Sequence, residues 1–349
     1  MNNILSELTN SITTPLLNHL PTLIQNMALG YASTLTIYIG ANVKRSLKIK
    51  KQNKQNQWTL YRQTPDIFGQ KYKPTIYAKI SKEDLKIFND ILSEMKYPEE
   101  LTEIVKQFKN HVTPENFKTC LWNLKTVKIK KFTLENDIKE FINNLLNLQI
   151  ASGSYLYSNN TINLYFTRKS TLSHEFLHMA SAIDLLHCGF RYSTYDNQWI
   201  EIGRGINEGY TELLNHRIFK SKSLSYYHNV KIARLFETFF DDRQDMENAY
   251  FHGDIESLYK VFCEYGTKEE FFKIMNNLDN LATTKIPIYN TITSVQTQLK
   301  LYDVIKRSKD KEKISTFETI LDENPLTRLI RNGQKLVLAN KMSKTVKVK

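Results

Sequence analysis

His174-Glu175-Phe176-Leu177-His178 sets two imidazoles four residues apart, with a carboxylate next to the first. On an α-helix, residues four apart lie one turn from each other on the same face, so His174 and His178 can converge on one ion. Glu175 projects about 100° round the helix from His174, which places its carboxylate beside that ion and not on it. In this pattern the two histidines hold zinc and the glutamate is a general base. Zinc with three protein ligands keeps a position for water, lowers the pKa of that water to about 7, and leaves the neighbouring carboxylate to take its proton.

The helix itself is legible around the motif. Leu172, Phe176, Met179, Ile183 and Leu186 recur at intervals of four, three, four and three, an apolar stripe off which the histidines fall. Ser170 or Thr171 can cap its start, and neither Pro nor Gly occurs from there to Leu186, so the expectation is a helix of about four turns.

Glu208, thirty positions after His178, lies in Gly205-Ile206-Asn207-Glu208-Gly209-Tyr210-Thr211-Glu212, in which Glu208 and Glu212 share a helical face. With this second run the chain resembles the gluzincin metallopeptidases, thermolysin-like in outline, whose second helix carries N-E-x-x-(S/T)-(D/E). The resemblance covers residues 170 to about 220. It implies one zinc ion per chain, held by His174, His178 and Glu208. It also implies Glu212, with Asn207 in the same motif, as an outer partner that accepts the far N–H of a ligating histidine, His174. Such a partner fixes the tautomer and strengthens the imidazole as a donor. The implied fold is α+β, a zincin-like metallopeptidase core with a mixed α/β upper subdomain, an edge-strand hairpin, the active-site helix and a mainly helical C-terminal subdomain. The implied activity is hydrolysis of peptide bonds in a peptide or protein substrate by a zinc-activated water, with Glu175 as general base.

Asp184 stands where metzincins place their last ligand, but that geometry needs a glycine to break the helix and position 181 is Ser. Asp184 is therefore assigned to the helix surface or a local salt bridge, and His187 to the helix C-terminus, where a cation suits the macrodipole.

Upstream, Ser154 to Ser158, Asn159-Asn160 and Thr161 to Phe166 read as two strands and a tight turn. Zincins resemble this in having an edge strand that pairs with an extended substrate backbone. A donor for the developing oxyanion is also required. Arg204, Tyr210, Tyr227, His228, Tyr250 and His252 all qualify by position, and with 19 tyrosines in the chain spacing does not choose among them.

Composition bounds the rest. A length of 349 residues with 41% hydrophobic and 24% charged content excludes disorder throughout and suits a globular enzyme of two or three subdomains. Cys120, Cys188 and Cys263 are widely spaced, which indicates neither a disulfide framework nor a thiolate zinc site and suits a reducing cytoplasm. The net charge of +12 draws on six basic residues from Lys44 to Lys54 and four lysines from Lys341 to Lys349. No nucleic-acid-binding motif accompanies them, so no specific nucleic acid is expected as a partner.

The division expected along the chain is an N-terminal apolar segment and basic linker over 1–56, a mixed α/β subdomain with the histidine helix over 57–204, and a mainly helical subdomain carrying the third ligand over 205–349. Residues 20–43 hold no charge and leave two readings open, a membrane anchor kept on the cytoplasmic side by the Lys44 cluster or a buried or interfacial helix. Strands are expected at Thr75–Ile80 and Val127–Phe132, and helices after Ser81 and at Leu134–Leu148, Val230–Phe240, Ile255–Tyr265, Lys268–Leu278 and Val295–Lys306. The segment from Gly189 to Ile202, with Tyr192, Tyr195 and Trp199, is expected to join the two metal helices and pass near the cleft. Two further readings stand beside the peptidase: a narrow-specificity regulatory or toxin-like zinc protein acting on one partner, and a non-catalytic helical binding protein.

Overall fold

The helix that carries Glu208 is buried along most of its length. In a computed structural model, residues 99–131, 153–165, 169–184, 187–196, 198–223, 225–284 and 287–332 are described, together with Lys48, Lys51 and Lys86. The expectations for 1–56 beyond those lysines, for the Thr75 strand, the Ser81 and Leu134 helices and the basic tail lie outside the described residues. All elements below belong to one packing unit, Ile49–Lys349. It is mixed α and β, and mostly helical.

Two helices come first, α1 (Glu99–Lys109) and α2 (Pro114–Leu124). Leu101, Ile104, Val105 and Phe108 make the buried stripe of α1, with acids in its first turn and lysines in its last, as the helix dipole favours. Thr113 caps α2 by accepting the Asn116 N–H at 3.3 Å, and Pro114 opens it. Strands β1 (Lys128–Lys131), β2 (Gly153–Leu156) and β3 (Thr161–Leu164) form one sheet in the order β1-β3-β2. β3 is central and wholly buried, parallel to β1 and antiparallel to β2, with Tyr155 opposite Ile162. The β2–β3 hairpin expected from the sequence is present, and among the described residues β2 is one of the two edge strands of this sheet.

Helix α3 (Lys169–Ala180), the histidine helix, packs on β2 and β3. It ends at Ala180, six residues before the expected Leu186. Thr171 to Ala180 are buried on every side, so the helix has no solvent face, and the stripe drawn through Ile183 is not its organising feature: Ile183 is 45% exposed. The chain turns at Ser181 because Ala182 bridges to Cys188 and the N–H of Gly189 bonds back to the Ser181 carbonyl at 3.0 Å. His187 consequently sits in a strand and not at a helix end. Strands β4 (His187–Cys188), β5 (Arg191–Asp196) and β6 (Gln198–Ile202) make an antiparallel ribbon in that order, which is the structure of the segment between the histidine helix and the Glu208 helix.

Helix α4 (Arg204–Phe219) follows, then α5 (Tyr227–Glu237), α6 (Arg243–Phe251), α7 (Ile255–Cys263), α8 (Lys268–Thr283), α9 (Pro287–Ile305) and α10 (Lys311–Asp322), with residues 325–332 also helical. The four helices expected after Val230 are present with shifted ends, and α6 and α10 are additions. α8 begins with a capping box between Thr267 and Glu270.

α4 packs against α3, α5 and α8. Two glycines permit that. A Cβ on Gly205 would stand 2.1 Å from the Leu278 backbone of α8, and one on Gly209 would stand 2.5 Å from the Asn229 backbone of α5. The Asn229 amide stitches the three helices, donating to the carbonyls of Gly205 and Leu278 at 3.0 Å each. Among the described residues no helix is long and apolar enough to cross a membrane.

Candidate metal centre

The crossing of α3 and α4 brings His174, His178 and Glu208 together. Nε2 of His174 and Nε2 of His178 are 3.1 Å apart, and Oε2 of Glu208 is 3.3 Å from the first and 3.2 Å from the second. Tetrahedral ligands at zinc's bond lengths of 2.0–2.1 Å stand about 3.3 Å from one another, so the three atoms make one face of such a tetrahedron. The donor set fits as well: two imidazoles and one carboxylate are borderline and hard donors of the kind zinc accepts. Among the described residues this is the cluster of at least three His, Cys, Asp or Glu side chains that could hold a metal ion.

On the His174 side the outer partner sets the tautomer. Nδ1 of His174 lies 2.7 Å from Oε2 of Glu212, an ionised carboxylate that can only accept, so Nδ1 carries the proton and the Nε2 lone pair points into the triangle. The other oxygen of Glu212 lies 3.1 Å from Nε2 of His216, and Asn215 donates to Oε2 at 3.4 Å. On the His178 side the outer partners are neutral. Asn207 Nδ2 and Thr211 Oγ1 lie 3.3 and 3.4 Å from His178 Nδ1. Phe190 N–H donates to Asn207 Oδ1 at 3.0 Å, which fixes the orientation of that amide. Thr211 donates to the Asn207 carbonyl at 2.7 Å and so accepts from the Tyr250 hydroxyl at 2.6 Å.

Burial opposes charge on His174, but the Glu208 and Glu212 carboxylates outweigh it and lift its pKa to about 9. His178 is likewise raised against its burial, chiefly by Glu208. Burial would raise Glu208, yet His178 and His174 hold its carboxyl well below the usual range. One carboxylate and two imidazoles thus face a common point, each imidazole stabilised in its charged form by Glu208.

Glu175 is buried beside the triangle and takes no corner of it. Burial pushes its carboxyl up, while the two histidines and a hydrogen bond from the Tyr155 backbone pull it down. Its Cγ lies 3.0 Å from where a Cβ on Gly153 would stand, so the edge strand β2 runs directly past the carboxylate. All six residues picked out by the two motifs thus meet here.

Other expectations separate from the site. Asp184 pairs with His187 at 2.9 Å, the local salt bridge expected of it. Tyr210 and Tyr250 are fully buried, Tyr227 is 51% exposed with the Lys231 ammonium 4.3 Å from its ring centre, and His252 Nδ1 is bonded to the Asn248 carbonyl at 2.8 Å. Tyr192 lies against His187 with ring centroids 5.2 Å apart, and the side chains of Tyr195 and Trp199 lie outside the described residues.

Two residues at the site escape the sequence reading. Tyr226, just before α5, stacks on His174 with ring centroids 5.8 Å apart and planes 14° apart. Its hydroxyl faces Glu208, whose charge, together with burial, raises the phenol's pKa well above its ordinary value. Asp279 of α8 accepts the N–H groups of Gly205 at 2.7 Å and Gly203 at 3.3 Å, capping α4 from a neighbouring helix. A tyrosine beside another tyrosine and an aspartate inside a helix carry no motif, so no local signal marks either. No family model, curated protein or solved structure matches the chain.

Proposed function

We propose that the chain is a zinc-dependent metallopeptidase of gluzincin type, with a zincin-like core, hydrolysing amide bonds of a peptide or protein substrate. The observation that supports this most is the triangle of His174, His178 and Glu208 ligand atoms, 3.1 to 3.3 Å on a side, with Glu212 locking the tautomer of His174. A zinc ion held there supplies Lewis acidity toward a carbonyl oxygen and toward water.

The chain's own residues supply the proton chemistry. Glu175 accepts a proton from the water whose oxygen attacks the carbonyl carbon, and returns it to the amide nitrogen as the C–N bond breaks. Burial suits the carboxyl to both duties, because it raises its affinity for the proton without removing it from the site. The edge of β2 beside Glu175, unpaired among the described residues, offers backbone groups to an extended substrate, as in β-strand addition.

The test is metal content by mass spectrometry of the native chain and of His178→Ala, followed by assay of the zinc-loaded native chain on a peptide library. About one zinc per native chain, lost in the variant, together with cleavage, is the expected result. A native chain that takes up no zinc after remetallation would refute the reading.

A further inference from the structure

Tyr226 violates the local rules of the place it occupies. It is the N-cap of α5, where Ser, Thr, Asp, Asn or Gly serves the first N–H groups, yet its side chain makes no cap bond and its φ is 53°. A bulky L-residue in the left-handed region is an outlier that the surrounding structure must hold in place, and such outliers concentrate at functional sites. Here the backbone conformation brings a phenol to the ligand triangle: the ring covers His174 and the hydroxyl faces Glu208. Of the other candidate donors, the Tyr250 hydroxyl is bonded to Thr211, His252 to the Asn248 carbonyl, and Tyr227 lies outward under Lys231, while Arg204 stands near both Glu208 and Tyr226.

We propose that Tyr226 is the oxyanion donor of the hydrolysis, its O–H hydrogen-bonding the oxygen of the attacked carbonyl as charge develops there. This rests on the metallopeptidase reading above. As the water oxygen bonds to the carbonyl carbon, the C=O π pair moves onto the carbonyl oxygen and the water proton passes to Glu175. Tyr226 keeps its own proton and donates a hydrogen bond to the new anion. When the C–N bond breaks, the π bond re-forms, the nitrogen takes the proton from Glu175, and the Tyr226 bond relaxes. A donor that strengthens its bond only as charge appears lowers the barrier without tightening the ground state.

The experiment uses the zinc-loaded full chain, a quenched fluorescent peptide that the native chain cleaves, and the same peptide with a phosphonamidate in place of the scissile amide. Tyr226→Phe keeps the ring stack and removes the proton. Its zinc content and unfolding midpoint are expected to match the native chain, with kcat down about 10²–10³-fold and KM within about threefold. Its affinity for the phosphonamidate is expected to fall about as far as kcat. Tyr226→Asn, a residue that tolerates the left-handed region and caps helices, is expected to show an equal or higher unfolding midpoint with the same catalytic loss. A Tyr226→Phe chain that cleaves within about threefold of native, or that loses its zinc, overturns the proposal; the second outcome would make the phenol a support for Glu208 only. A native chain without zinc or cleavage overturns the metallopeptidase reading and this proposal together, whereas a cleaving native chain with an equally active Tyr226→Phe overturns this proposal alone.

Discussion

Oε2 of Glu212 stands 2.7 Å from Nδ1 of His174, and Glu212 follows Glu208 by one turn of α4, so a single helix reaches both sides of one imidazole. The inner carboxylate faces the same point as the ring's Nε2, and the outer one holds the ring's proton in place. Replacing Glu212 with Gln keeps an acceptor and removes the charge. Zinc affinity is expected to fall about 10–100-fold, measured by competition with a chromophoric chelator. An unchanged affinity would show that the Glu212 contact does not tune the ligand.

Glu175 and Glu208 are expected to separate cleanly. Glu175→Gln should retain one zinc per chain while hydrolysis falls by at least about 10²-fold, since a general base of this kind contributes about 10²–10⁴. Glu208→Ala should lose zinc, because two imidazoles remain where three donors stood, and its melting temperature should no longer rise on zinc addition. Full zinc occupancy in Glu208→Ala would remove Glu208 from the ligand set.

The two close backbone approaches distinguish packing from site geometry. In Gly205→Ala the new methyl would stand 2.1 Å from the Leu278 carbonyl carbon and oxygen, backbone atoms that no rotamer change can move. The expected loss is about 3 kcal/mol or more in urea unfolding. In Gly153→Ala the methyl meets Thr171 Cγ2 at 2.7 Å and Glu175 Cγ at 3.0 Å, side-chain atoms that can shift, and one backbone atom, the Asn163 carbonyl oxygen, at a less severe 3.0 Å. Its stability loss should be the smaller, about 1–2 kcal/mol, with hydrolysis reduced more than tenfold as Glu175 is displaced. The reverse order of stabilities would contradict this packing.

Asp279 makes stability depend on pH. Burial lifts its pKa from 3.8 to about 7 and Glu201 adds to that, against the Gly205 and Gly203 N–H groups and Arg204, which lower it. Between those two values the folded chain keeps a proton that the unfolded chain has released, so this group's contribution to stability falls as pH rises and levels off above about 7. The unfolding free energy of the native chain, relative to Asp279→Asn, should therefore drop with pH by up to about 1.4 kcal/mol per unit across that window. A difference independent of pH would show that Asp279 is ionised throughout. Asp279→Ala, which also loses the cap of α4, should cost about 0.5–2 kcal/mol at pH 5.

The sequence alone determined the parts of this protein that depend on neighbours within a turn or a hairpin. Helical period places His174 with His178 and Glu208 with Glu212, and alternation about Asn159-Asn160 makes the β2–β3 hairpin, because these relations follow from backbone geometry over a few residues. The helix boundary at Ala180 was not legible: the propensity of residues 181–186 favours continuation, and the bridge from Ala182 to Cys188 overrides it. The ribbon over β4 to β6, the cap that Asp279 sends across from α8 and the left-handed Tyr226 were likewise decided by tertiary contacts. So was the convergence of His174, His178 and Glu208. It depends on how closely α4 can approach α5 and α8 through Gly209 and Gly205, and on how α3 crosses α4. Those distances join residues 20 to more than 70 positions apart, and local pattern carries no information about them.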